Sequence, residues 1–195
     1  MSDKDALYDE VLAGLRQLPP SMRRKAFGTL RREREQSRDD LLEEQKLLPN
    51  SHWSKKEVLS RIANPTTEAY EQKIYMPELT FLGVANQPDF GEVLLTFYPG
   101  EWTIELKSLK QYKDAFRSSL VSYERLANVM FDDLMEVYEP IRLRLMMRLR
   151  PRGGISSSLT IDSDWKIRGG NELFADWAGN VDQFGFEANN AARIG

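Results

Sequence analysis

Cysteine is absent from all 195 residues, and histidine occurs once, as His52 in "PNSHWSKK". Without thiols the chain has no disulfides, no thiolate zinc site and no cysteine nucleophile. A single His beside a Trp in a loop reads as structural, and Ser-His-Asp chemistry centred on it is unpersuasive. No metal is expected, because the nitrogen and sulfur ligands of a transition-metal site are missing and carboxylates alone favour magnesium or calcium. Apolar runs of 18 or more residues are lacking too, which argues against membrane association. The opening "MSDKDALYDE" is polar and acidic and has no signal-like character, which points to the cytoplasm. Charge of one sign is also scarce: 27 cations and 30 anions leave a net charge of −3. Any affinity for nucleic acid or lipid must then come from a local patch.

What is present begins with helical spacing. Leu7, Val11, Leu12, Leu15 and Leu18 repeat on one helix face until "LPPS" stops them. A charged segment follows from Pro20-Ser21 to about Leu48, and its apolar residues, among them Met22, Phe27 and Leu30, are too sparse for a buried helix. Residues 21–38 are basic through Arg23, Arg24, Lys25, Arg31, Arg32, Arg34 and Arg38, whereas Asp39, Asp40, Glu43 and Glu44 make the remainder acidic. This is read as a solvated helix with charge pairs between turns. The alternative is a basic arm for a protein partner, ahead of RNA because no aromatics are interleaved to stack bases. A short helix is expected over "SKKEVLSRI", with Ser54 and Glu57 at capping-box spacing. "ANPTT" then marks a boundary, giving a helical extension over 1–64, a folded domain over 65–165 and a tail over 166–195.

Beyond that boundary the periodicity changes. "EAYEQKIYMPELTFL", "GEVLLTFYP" and "EWTIEL" read as strands, with "YPGEW" as a hairpin turn between the last two. Helices are expected from Ser108 to about Leu120 and from Tyr123 to about Tyr138. "IRLRLMMRLR" has strict period two, with Ile141, Leu143, Leu145, Met147 and Leu149 on one face and Arg142, Arg144, Arg148 and Arg150 on the other. "SSLTIDSDW" is its expected partner strand. The fold class is therefore α+β, an antiparallel ββααββ sheet with two helices on one face behind an N-terminal helical extension. The arginine row lies on the uncovered face, where it is either wet or meets carboxylates of neighbouring subunits, so a homo-oligomer is expected. The tail carries Phe174, Trp177, Phe184 and Phe186, and is expected to dock on its own core or on a neighbour.

Four segments fall at strand and helix ends: "NQPDF", "IELKSLKQY", "SYE" and "RPRGGIS". Taken singly, each has a structural explanation as a turn, a helix start or a hairpin. Together, on ββααββ, they resemble the QueF-type nitrile reductases, which convert 7-cyano-7-deazaguanine to its aminomethyl form with NADPH. "ELKSLKQY" fits the family signature Glu-x-Lys-x-x-Lys apart from Gln111, where Leu or Tyr is usual. The resemblance runs from about Tyr70 to Ile161, and "QPDF" and "PRGGIS" are nearly verbatim.

The resemblance implies the tunnelling fold, in which several subunits close their sheets into a barrel and ligand sites form between neighbours. It implies Glu124 as the carboxylate that anchors a purine or 7-deazapurine ring, with Glu105 assisting and with Ile104, Leu106 and Tyr123 around the substrate. Asp89 falls at the proton-donor position. Lys107, Lys110, Arg152, Gly153 and Gly154 correspond to the NADPH side. A carboxylate suits adjacent ring N–H donors, each charge-assisted bond contributing roughly 1.5–3 kcal/mol.

Two positions depart from the family. Leu82 stands where the nucleophilic cysteine is expected, five residues before the Gln of "QPDF", and Tyr123 replaces a histidine. Nitrile reduction in this family needs a thiolate to form a thioimide, and Thr80 and Ser122 are poor substitutes without a base. The resulting expectation is a non-catalytic or altered-function oligomer that binds a purine or 7-deazapurine. The open alternatives are a structural ring protein using its arm and tail, an enzyme of changed chemistry, and a reductase completed by another chain.

Overall fold

Pro19 and Pro20 end one helix and start the next. In the computed structural model, α1 spans Asp3–Gln17 and α2 spans Pro20–Leu47. Pro20 opens α2, where its missing N–H costs nothing. Arg23 ties the junction by donating from Nε to the Leu18 carbonyl at 2.9 Å. The structure describes residues 3–83, 86–151 and 153–173. Residues 1–48 form one unit and the chain from Pro49 onward another. On α2, Met22, Phe27 and Leu30 are exposed, as their sparse spacing predicts. Arg31 and Glu35 pair at 3.0 Å one turn apart; both are exposed, so the pair contributes about 0.3–0.5 kcal/mol.

The second unit is organised by a four-stranded antiparallel sheet in the order β2-β3-β5-β6. Its strands are β2 (Gln72–Leu82), β3 (Pro88–Tyr98), β5 (Arg142–Leu149) and β6 (Ser158–Asp162). Alternation fixes the register. Val93, Leu95 and Phe97 of β3 lie opposite Met147, Leu145 and Leu143 of β5, and all six are fully buried. Helix α4 (Tyr123–Tyr138) supplies the buried stripe Leu126, Met130 and Leu134. Its N-cap is Ser122, whose side chain accepts from the Arg125 N–H.

Four expectations are corrected. First, β4 (Trp102–Ile104) does not form a hairpin with β3. It pairs instead with β1 (Arg61–Ala63) in a separate two-stranded ladder, Ile62 opposite Thr103. Both edges of β3 are already occupied, by β2 and β5, so no ladder is left for β4.

Second, "SKKEVLSRI" is not a helix. Only Lys56–Val58 makes a 3₁₀ turn, and Arg61–Ala63 is strand β1. The Ser54 hydroxyl, expected to cap, instead donates to Asp133 Oδ1 at 2.5 Å. The buried Asp133 also accepts from the Lys55 N–H at 3.1 Å and the Tyr112 hydroxyl at 2.8 Å. Burial, with the adjacent carboxylate, pushes the Tyr112 phenol well above its ordinary pKa. Trp53 is buried and donates from Nε1 to the Leu120 carbonyl at 2.9 Å. The break between units therefore falls at 48/49, not at 64, and residues 49–64 belong with the sheet.

Third, α3 spans Leu106–Asp114 and stops short of Leu120. The chain beyond it is drawn to the end of β2: the Leu82 N–H donates to the Ser119 carbonyl, and the Val121 N–H donates to the Leu82 carbonyl. Fourth, the arginine row meets carboxylates of its own chain. Arg142 is buried and holds Asp162 with two bonds, Nε–Oδ1 at 3.1 Å and Nη2–Oδ2 at 2.6 Å. Arg148 lies 3.9 Å from Glu92.

The start of the tail sits on α4, where Arg168 donates to Asn128 Oδ1 at 2.8 Å and stacks over Phe131. The docking expected of Phe174, Trp177, Phe184 and Phe186 lies outside the described residues.

Candidate functional site

Where β2 ends and β3 begins, α4 starts and β5 turns toward β6, the second unit has a cleft of about 380 Å³. Three connections build it: Gly83, Asp89 and Phe90; Val121 to Glu124; and Leu149, Arg150, Ile155 and Ser157. Backbone bonds hold them together. Leu82 ties the first connection to the second, the Arg150 N–H donates to the Phe90 carbonyl, and the Leu149 N–H donates to the Ser157 carbonyl. Gly91 is required behind the cleft, since a Cβ there would lie 2.9 Å from the Arg148 carbonyl oxygen. Any side chain would push β3 off β5 and open the wall.

The cleft brings together Asp89, Tyr123 and Glu124, three of the residues singled out from the sequence. Glu124 stands in the first turn of α4, where the helix dipole favours negative charge. Phe90 and Ile155 are exposed at 48 % and 76 %, apolar surface left open to a ligand. Arg150, Ser122 and Ser157 add a cation and two hydroxyls. Two carboxylates over apolar walls suit a flat, polar heterocycle: the acids accept ring N–H groups and the walls cover its faces. Arg150 was missed as a site residue because strand alternation assigned it to the arginine row. The signal that it leaves the ladder is the "PRGG" that follows.

The remaining candidates are placed elsewhere. Ile104 is buried in β4, and Leu106 is 57 % exposed. Neither they nor Glu105, Lys107 and Lys110 line this cleft. Glu105 is the N-cap of α3, its carboxylate accepting the N–H groups of Lys107 at 2.9 Å and Ser108 at 2.6 Å. Lys107 and Lys110 are exposed. Leu82 is half-buried at the end of β2; its neighbour Gly83 lines the cleft, and Leu82 itself is not among the lining residues. Gly153 and Gly154 take left-handed backbone, φ 60° and 81°, with open space where a Cβ would project. Arg152 lies outside the described residues.

These placements bear on NADPH. The N–H groups at the start of α3, which would otherwise receive a phosphate, are filled by the carboxylate of Glu105. The α3 lysines and the loop glycines are on separate elements of the protomer.

The cap has a pH signature. The two backbone N–H bonds hold the Glu105 carboxyl below its ordinary value of 4.5. A carboxyl whose pKa is lower in the folded chain stabilises it fully above the ordinary value, and that contribution is lost as pH falls through the lowered value. Glu105→Gln is expected to lower the thermal midpoint at pH 7, and the gap to the unmodified chain should close on acidification below 4.5. A gap of constant size across this range would show that the charge is not what the cap uses.

Comparison with known proteins places the cleft in context. The family model of the QueF-like proteins matches residues 88–168. The NADPH-dependent 7-cyano-7-deazaguanine reductase of Thermomicrobium roseum is 34 % identical over 120 residues, which cover 60 % of this chain and 94 % of the relative. The enzyme of the same name from Acidithiobacillus ferrooxidans is 39 % identical over 106 residues, covering 53 % of this chain and 75 % of the relative. The crystal structure of an apo archaeosine synthase QueF-Like superposes with a TM-score of 0.43 and 13 % identity, over 50 % of this chain and 94 % of that one.

Proposed function

This chain belongs to the QueF-like protein family, and from that membership we propose that it is a purine- or 7-deazapurine-binding oligomer that has lost the covalent chemistry of the reductases. The observation that carries this reading is the convergence of Asp89, Tyr123 and Glu124 on one cleft in a chain without a single cysteine. In this reading Glu124 accepts the ring N–H groups, and Phe90 and Tyr123 border the ring. Leu82 occupies the place of the attacking sulfur. Leucine offers neither a lone pair nor an ionisable proton, so a bound nitrile meets no nucleophile there. In this reading Glu105 reaches a ring only in a neighbouring subunit, since it does not line the cleft of its own protomer.

Isothermal titration with 7-cyano-7-deazaguanine, guanine and GTP tests the reading. Binding of the deazapurine is expected, with no NADPH oxidation when the cofactor is added. Glu124→Ala removes charge-assisted bonds and should weaken binding by about tenfold to a hundredfold. Failure of all three compounds to bind would overturn the reading, as would NADPH oxidation by the chain alone.

A further inference from the structure

The helical unit is not used by the cleft, and its longer helix has an unusual charge distribution. α2 has 28 residues, about 42 Å at 1.5 Å per residue. Met22, Phe27 and Leu30 are 57 %, 56 % and 49 % exposed, and Leu47 at its far end is 86 % exposed. Phe27 and Leu30 are one turn apart and share a face. Residues 20–34 hold six cations and one anion; residues 35–47 hold five anions and two cations.

A second copy of α2 laid antiparallel sets the basic half of each helix on the acidic half of the other, twice by symmetry. Laid parallel, the two copies would set like charge on like at both ends. A nucleic acid matches only the first half and is repelled by the second, so self-pairing is the arrangement that uses the whole helix. We propose that α2 is an antiparallel self-pairing element that joins two copies of this chain, covering Met22, Phe27 and Leu30 in the seam. The charge pairs set direction and register, as complementary charges do along coiled coils. This inference stands apart from the cleft and does not depend on what the cleft binds.

The absence of cysteine makes the test clean, because an introduced thiol is the only one to label. Met22→Cys and Leu47→Cys are made separately in the full chain and spin-labelled, and distances are read by pulsed electron resonance. Antiparallel pairing brings position 22 of one copy beside position 47 of the other. Like positions are then held apart by roughly 38 Å, the rise over 25 residues. A short distance in the mixed sample, absent from either sample alone, is the expected result. A short distance within the Met22→Cys sample alone would mean parallel pairing and overturn the proposal. So would the lack of any short distance in the mixture, whether or not the chain retains an oligonucleotide. Charge exchange is the second arm: R31E/R32E and D39K/D40K should each abolish the short distance, and mixing the two variants should restore it. Persistence of the distance in either variant alone would show that charge does not direct the pairing. Ligand titration on the same samples is expected to be unchanged, so the two readings fail separately.

Discussion

Asp162→Ala lowers the unfolding free energy by about 3–5 kcal/mol, the cost of removing one partner of a buried ion pair. Asp162 is fully buried, and the Arg142 side chain it holds is 7 % exposed. The carboxylate accepts two bonds from Arg142, lies 3.9 Å from Arg144, and also accepts the Asp164 N–H at 2.9 Å. Removing it takes from Arg142 and Arg144 the buried carboxylate they share. Much of the loss comes from leaving the buried Arg142 charge less well compensated, beyond the bond itself. Asp162→Ala with Arg142→Met should accordingly recover much of the stability, because an apolar pair of similar volume pays no desolvation. Chemical denaturation reads this as a shift in midpoint at constant slope. A loss under about 1 kcal/mol would mean that the pair is solvated, not buried.

Leu82→Cys should convert a binder into a chain that traps its ligand. In the proposed reading, the new thiolate adds to the nitrile carbon of 7-cyano-7-deazaguanine, one π bond of the nitrile breaks, and its nitrogen takes a proton. Nothing leaves, so the product is the chain plus the whole ligand. Asp89 lies in the adjoining cleft, and in the same reading it supplies the proton. Intact mass spectrometry would show the adduct in the variant and none in the unmodified chain, whose lack of thiols gives a silent background. Asp89→Asn in the same variant should slow trapping without abolishing binding. A Leu82→Cys chain that binds the nitrile yet never traps it would show that position 82 does not face the reacting carbon.

Most of the sheet was legible in the sequence because its information is local. The alternation in β5 and the apolar stripe of α4 are properties of consecutive residues, and both helix and strand fall where the spacing predicts. What failed depended on distant partners. Ser54 and Glu57 have capping-box spacing, but the Ser54 hydroxyl goes to Asp133, 79 residues away. β4 reads as a hairpin strand until it is known that β5 has taken the edge of β3. In the site, Asp89, Tyr123 and Glu124 could be grouped only because the order of short segments resembles a family, since no local rule brings them together. Glu105 shows another failure: the sequence reading starts the helix at Ser108 and gives Glu105 to a ring, whereas the helix begins at Leu106 and the Glu105 carboxylate is its cap.

The bond from Ser54 to Asp133 also has a consequence during synthesis. The stretch around Trp53 leaves the ribosome long before the carboxylate that will hold it, and the 79-residue gap corresponds to roughly 4–16 s at about 5–20 residues per second. Through that interval the indole and the strand-forming residues after it have neither α4 nor β4 to lie against. Until then Trp53 and Leu59, both buried in the folded chain, are carried by the nascent chain without the partners that will cover them.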